Sequence, residues 1–215
     1  MRQIIIRSLN MTLGLVLYGL GIVITIKANI GYAPWEVFHV GLALTTGMTI
    51  GTASIIAGLA ILAVVTLAGE KFGIGTVCSM ILTGVFIDAF MFLDFIPLAE
   101  NYITGTLMLI AGLFIVALGT YFYIKSAFGA GPRDNLMVVL ARKNKIPIGV
   151  WRSAVELLVT FTGWLLGGMA GIGTVISMIA IGFCVQITFK VLRFDVTAVK
   201  HESLKETWKQ IRKGK

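Results

Sequence analysis

One pattern of residues occurs twice in this sequence, at a constant spacing of 98 positions and without a gap. Gly73-Ile74-Gly75-Thr76-Val77 returns as Gly171-Ile172-Gly173-Thr174-Val175, and Ser79-Met80 returns as Ser177-Met178. Gly31-Tyr32-Ala33-Pro34-Trp35-Glu36 returns more freely as Gly129-Ala130-Gly131-Pro132-Arg133-Asp134. Gly21, Lys27, Gly51 and Gly84 return as Gly119, Lys125, Gly149 and Gly182. A chain built this way folds two similar units and packs one on the other. Where such a chain lies in lipid, duplication is a common build of small-molecule transporters.

Composition places the chain in lipid. It is 57% hydrophobic and 13% charged, against about 25% charged in an ordinary soluble domain. Its mean hydropathy is +0.93. Apolar runs of about 20 residues recur, the length that crosses a hydrocarbon core as a helix. The runs are continuous rather than alternating, which argues against a β-barrel. Glycine, at 25 residues, suits close helix contact. The expectation is an all-α polytopic bundle: one transmembrane domain over 1–193, with repeat one at about 13–90, repeat two at about 111–188 and a basic cytoplasmic tail over 194–215.

Six long spans are expected, at 8–26, 51–69, 74–93, 102–124, 149–167 and 172–192. The first reads as an uncleaved span rather than a signal peptide, because its apolar run continues to Ile26 with no small-residue cleavage site. Two further apolar segments, 34–46 and 132–141, are too short for a normal crossing. Each starts with Pro, which fits the first helical turn, and carries an acid there, Glu36 or Asp134, where a helix N-terminus favours one.

The net charge of +8 bears on orientation. With six spans and a cytoplasmic N-terminus, Arg2, Arg7, Lys71, Lys125, Arg133, Arg142, Lys143, Lys145 and the tail lie inside, and Lys27 lies outside with Asp94 and Glu100. If the short segments also crossed, Lys71, Lys125 and Arg133 would join Lys27 outside, so six spans obey the positive-inside rule better. Three spans per repeat would invert the second repeat relative to the first and leave the short helices re-entrant or interfacial. Eight spans with parallel repeats is the alternative. In the tail, Val199, Leu204, Trp208 and Ile211 are spaced for a short amphipathic helix on an anionic inner leaflet.

Several chemistries lack their residues. Cys78 and Cys184 sit in apolar runs without a CxxC, and His39 and His201 are far apart, so neither a metal nor a haem cofactor is expected. No nucleic-acid module accompanies the basic residues. Glu156, Asp134 and His39 could serve an enzyme, yet no recognised catalytic spacing links them, and the expectation is that the chain is not one.

The candidate binding or coupling residues gather at the Pro motifs. Gly31 and Gly129 permit close backbone approach, and Pro34 and Pro132 start helices whose free N–H groups can face an anion. Lys27, Lys125 and Arg133 lie close by in sequence and favour an anionic solute; the two lysines read equally as snorkelling residues at span ends. Trp35, Glu36 and Asp134 complete the motifs, the acids either titrating or capping. Arg152 and Glu156 are four apart on one helix face, an ion-pair spacing, and the place of Glu156 is taken by Gly58 in the first repeat. Asp88 and Gln186 are equivalent near span ends.

The first span with Gly19, Gly21, Lys27 and Ala28, the Gly31-to-Glu36 motif, then Gly41, Gly47, Gly51 and Gly73-x-Gly75-Thr76, together resemble the YczE branch of the YczE/YitT-type family of bacterial integral membrane proteins over roughly 10–192. Members of that family usually carry Asp where this chain has Glu36, so the carboxylate is kept. The resemblance implies a multi-pass protein of the bacterial plasma membrane. The expected function is a secondary transporter or permease for a small, anionic solute, with its site between the repeats. The alternative is a non-enzymatic scaffold or regulatory partner protein. The lipid bilayer and a small-molecule substrate are the expected partners, nucleic acid is not, and a homo-oligomer or a partner subunit is compatible with both readings.

Overall fold

The computed structural model describes residues 2–69, 72–129, 131–144, 147–195 and 199. Among these the chain forms α1 (Arg2–Lys27), α2 (Pro34–Thr46), α3 (Ile50–Leu67), α4 (Ile74–Leu93), α5 (Tyr102–Lys125), α6 (Pro132–Asn144), α7 (Ile148–Leu165) and α8 (Ile172–Val191), and no strand. The bounds of α6, α7 and α8 fall 98 residues after those of α2, α3 and α4, and α5 ends 98 residues after α1. Lys71, Lys145 and nearly all of the expected tail helix lie outside the described residues, and the side chains of Asp134 and Lys143 do too.

Local chemistry sets the helix ends. Asn101 caps α5, its Oδ1 accepting from the N–H groups of Ile103 (3.1 Å) and Thr104 (2.9 Å). Gly47 ends α2 in the left-handed region at φ 75°, its N–H donating to the Ala43 carbonyl. The Gly-x-Gly-Thr repeats start α4 and α8: Thr76 Oγ1 accepts from the Gly73 N–H at 3.3 Å, and Thr174 Oγ1 accepts from the Gly171 N–H at 3.0 Å.

Among the described residues, five helices are long and apolar enough to cross a membrane: α1 from Ile4, α3, α4, α5 and α8. The span expected at 149–167 is the helix α7, which is not among the five; Arg152 and Glu156 interrupt its apolar run. α7 is two-sided. Leu157, Leu158, Phe161, Trp164 and Leu165 are exposed, while Arg152 and Glu156 line an open cavity.

α1 and α5 form the centre and run antiparallel through a seam of glycines. A Cβ on Gly14 would lie 2.8 Å from the Gly119 carbonyl, one on Gly21 2.8 Å from that of Gly112, and one on Gly105 2.6 Å from that of Ala28. Bare glycine surfaces let the two backbones approach where any side chain would hold them apart. The apolar core follows this seam, with Ile22, Val23, Ile26 and Val116 in one cluster and Leu109, Leu113, Ala117 and Cys184 in another. Around the centre, α1 packs on α4 and α5 on α8, while α2 packs on α7 and α3 on α6.

The two ends of the bundle differ in charge. At one end Lys27 pairs with Asp94, and the Lys27 carbonyl accepts from the Ala99 N–H. At the other, Arg7 Nε donates to the Ser126 carbonyl at 2.8 Å and its guanidinium covers the Phe128 ring. Lys125 ends α5 there, and the Tyr121–Phe194 ring contact brings the last turn of α8, with Lys190, to the same end.

Candidate functional site

The site grows from the two stretches that precede Pro34 and Pro132. After α1, Gly31 takes φ +113°, a region closed to most side chains. The Ile30 carbonyl accepts from the Gly173 N–H at 2.8 Å, and the Tyr32 N–H donates to the Met169 carbonyl at 3.0 Å. This stretch is thereby tied to the start of α8. After α5, Gly129 takes φ +139°, and the Phe128 carbonyl accepts from the Gly75 N–H at 3.0 Å at the start of α4. Tyr123 donates its hydroxyl to the Gly129 carbonyl at 2.8 Å. Each motif is therefore docked on a helix of the other half of the chain.

So anchored, α2 and α6 begin facing one another. The Arg133 guanidinium carbon lies 4.5 Å from the centroid of the Trp35 ring. Its Nη1 is 3.9 Å from Glu36 Oε1, and its Nη2 is 3.4 Å from His39 Nε2. Guanidinium only donates, so His39 Nε2 is the acceptor in that long contact and the ring proton falls on Nδ1. Nδ1 is buried and finds no partner among the described residues. Glu36 is also buried, at 6% exposure. Arg133 is the cation that faces it, and because Arg133 keeps 27% of its side-chain surface the pair is only part-buried.

α7 supplies the second ion pair. Arg152 Nε donates to Glu156 Oε1 at 2.9 Å, one turn along the helix. Two neighbouring cavities, a larger lobe of about 390 Å³ and a smaller one of about 100 Å³, share Arg133, Arg152 and Glu156 in their walls. Arg133, Arg152, Glu156, Trp35 and Tyr18 line both lobes, and Pro34 and Glu36 line the smaller. Two cations and two carboxylates leave the walls balanced. Arg133 is the cation held at the longer distance, and a five-donor guanidinium has hydrogen-bonding capacity beyond these contacts.

Of the candidate residues, Pro34, Trp35, Glu36, Pro132, Arg133, Arg152 and Glu156 come together at the cavity. Gly31 and Gly129 stand behind it as docking points. Lys27 is drawn to Asp94, and Lys125 to Tyr121, whose hydroxyl accepts from its Nζ at 3.0 Å; neither lysine lines the cavity. The Asp134 side chain lies outside the described residues. Asp88 is a cap: its carboxylate accepts from the Gly51 N–H at 2.7 Å and from the Thr49 hydroxyl at 2.6 Å at the start of α3. Sequence reasoning missed the hydroxyls of Ser54, Ser79, Thr83 and Thr120 around the larger lobe. Ser79 recurs as Ser177, which lines the smaller lobe, so the repeat spacing was the signal available for that pair.

Comparison with known proteins agrees with a membrane protein. The chain is 31% identical over 189 residues to the uncharacterized membrane protein YczE of Bacillus subtilis, covering 87% of each chain. An uncharacterized protein of Haemophilus influenzae is 30% identical over 174 residues, covering 81% of this chain and 79% of its own. The uncharacterized protein YyaS of Bacillus subtilis is 26% identical over 178 residues, covering 81% of this chain and 88% of its own. No solved structure matches. Residues 5–190 match a family of unknown function, DUF6198, and with that match spanning nearly the whole helical bundle the chain belongs to this family.

Proposed function

We propose that this membrane protein is a secondary transporter or permease for a small anionic solute, built from two inverted repeats and catalysing no covalent reaction. The observation that carries the reading is the meeting of α2 and α6, one from each half, N-terminus to N-terminus beside one cavity, with Arg133 on Trp35. Helix N-termini present unpaired N–H groups and the positive end of the dipole, which suits an anion. Broken helices that face a central site are a recurring transporter device. The antiparallel α1–α5 seam supports inversion, because helices at the same place in each repeat run in opposite directions.

α2 has 13 residues, about 20 Å of helix, too short for a hydrocarbon core of about 30 Å. Most of its residues are buried against protein, the setting in which a re-entrant segment is tolerated. On this reading α7 is the sixth span, with its charged side turned to the cavity. The positive-inside rule then puts the end with Arg7, Lys125 and Lys190, and both termini, in the cytoplasm of a bacterial cell.

The test is the melting temperature of the detergent-purified protein against a library of small anions, amino acids and vitamins. A ligand at a hundred times its dissociation constant adds about 2.7 kcal/mol to the folded state. The expected result is a stabilising anion whose effect is lost in Arg133→Ala. If no compound shifts the transition, the transporter reading falls and a scaffold that docks another protein takes its place.

A further inference from the structure

The two halves use the same helices but close differently. In the first half, α3 lies tight on α4: a Cβ on Gly84 would be 2.6 Å from the Gly51 carbonyl, and one on Gly58 would be 2.5 Å from Met80 Cγ. Asp88 then caps Gly51 and holds Thr49. In the second half, the matching residues are Gly149 and Gly182, Glu156 and Met178, with Gln186 for Asp88. Yet α7 and α8 do not pack as α3 and α4 do. Gly149 and Gly182 each face open space: a Cβ on either would meet no atom of the described residues within 4 Å. The cavity occupies the gap, with Arg152 and Glu156 on one wall and Ile181 and Val185 on the other.

Two positions of α3 change in charge between the halves: Ser54 and Gly58 are replaced by Arg152 and Glu156 in α7. Gly58 leaves room for Met80 to lie flat against α3. Glu156 at the equivalent place projects a charged side chain, tied to Arg152, toward the helix that carries Met178. Closing α7 on α8 would press that carboxylate against a thioether and strip its water, which is unfavourable while it is charged. The surviving glycine pair has no packing role in the open arrangement, although bare glycine surfaces suit tight helix contact.

We propose that the α7–α8 seam is the gate of the cavity, that it closes by seating Gly149 on Gly182 as Gly51 sits on Gly84, and that Glu156 with Arg152 is the wedge that holds it open. This rests on the transporter reading of the cavity. In the closed state the Gln186 side-chain carbonyl accepts from the Gly149 N–H, the bond that Asp88 makes to Gly51. The α3–α4 seam, closed in this structure, opens in exchange.

The test uses the full chain in membrane vesicles, with Cys78→Ala and Cys184→Ala as background and Pro147→Cys with Gln186→Cys as the reporter pair; their counterparts Thr49 and Asp88 touch across the closed seam, and both glycines stay bare. Oxidative crosslinking is followed with Glu156 present, with Glu156→Gly and with Glu156→Gln, the last keeping the shape of the side chain in case the glycine variant fails to fold. The expected result is at least a threefold rise in crosslink yield for Glu156→Gly and a smaller rise for Glu156→Gln. The labelling rate of Pro147→Cys alone by an impermeant maleimide should fall in parallel. Unchanged yield and labelling in both variants would overturn the gate. The readout needs no solute, so a crosslink that rises while no solute ever binds upholds the gate and sinks the transporter reading instead.

Discussion

Arg133 of α6 lies over the indole of Trp35 of α2, 4.5 Å from the ring centroid, and so joins the two halves at the starts of their Pro-initiated helices. A desolvated contact of this kind is worth about 2 kcal/mol or more, and an exposed one about 0.5–1 kcal/mol. Arg133 keeps 27% of its side-chain surface, so the pair falls between these limits. In a double-mutant cycle of Arg133→Ala and Trp35→Leu, scored by thermal unfolding in detergent, the coupling should be about 1 kcal/mol. Coupling indistinguishable from zero would show that the ring does not hold the guanidinium. Arg133→Lys should recover less than half, since an ammonium has neither the plane nor the fork.

Gly31 faces two independent penalties. Its φ of +113° is strained for any L residue, and a Cβ would stand 2.7 Å from the Gly171 backbone nitrogen. Gly31→Ala should therefore destabilise the fold by about 2–4 kcal/mol, combining a strained backbone with displacement of a packed neighbour. Gly47→Ala shares the positive φ but faces open space, so its loss should be about 1 kcal/mol. Melting temperatures of the two variants separate the contributions; equal losses would mean that the docking on α8 is loose.

The α3 cap gives a third prediction. Asp88 accepts from Gly51 and Thr49 at once, so Asp88→Ala should cost about 1–2 kcal/mol. Asp88→Asn keeps one acceptor oxygen for the Gly51 N–H and should lose less than half as much. Thermal unfolding of the two variants decides it, and equal losses would show that charge rather than hydrogen bonding matters there.

The helices were legible because lipid writes them plainly in sequence. Pro34 and Pro132 marked the first residues of α2 and α6, and continuous apolar runs gave α3, α4, α5 and α8 to within a few residues, while α1, expected from 8, starts six residues earlier at Arg2. The seam between α1 and α5 was hidden for a geometric reason. A constant offset pairs Gly21 with Gly119, whereas antiparallel packing seats Gly21 on Gly112 and Gly14 on Gly119. Part of the candidate site was legible through chemistry: Glu156 stood out because its counterpart is glycine, and Arg133 because it lies in a first helical turn. Lys27 and Lys125 were misleading neighbours. They are near the motifs along the chain, but α1 and α5 end there, and the side chains turn to Asp94 and Tyr121 instead. His39 gave only a weak signal because a lone histidine on an apolar helix is usually core; the fold places it against Arg133.

The inverted and parallel topologies differ most simply in two loops. α2 leads into α3 through Gly47, and α6 leads into α7 through Pro147. If both short helices are re-entrant, these connections lie on opposite faces of the membrane; if both cross, giving eight spans, they lie on the same face. Thr46 and Pro147 are exposed, so Thr46→Cys and Pro147→Cys, each alone in a background without Cys78 and Cys184, are accessible reporters. With an impermeant thiol reagent, Thr46→Cys should label in intact cells and Pro147→Cys only after the membrane is opened or inverted. Labelling of both from one face would remove the inverted repeat, and with it the basis for reading the α3–α4 and α7–α8 seams as alternating gates.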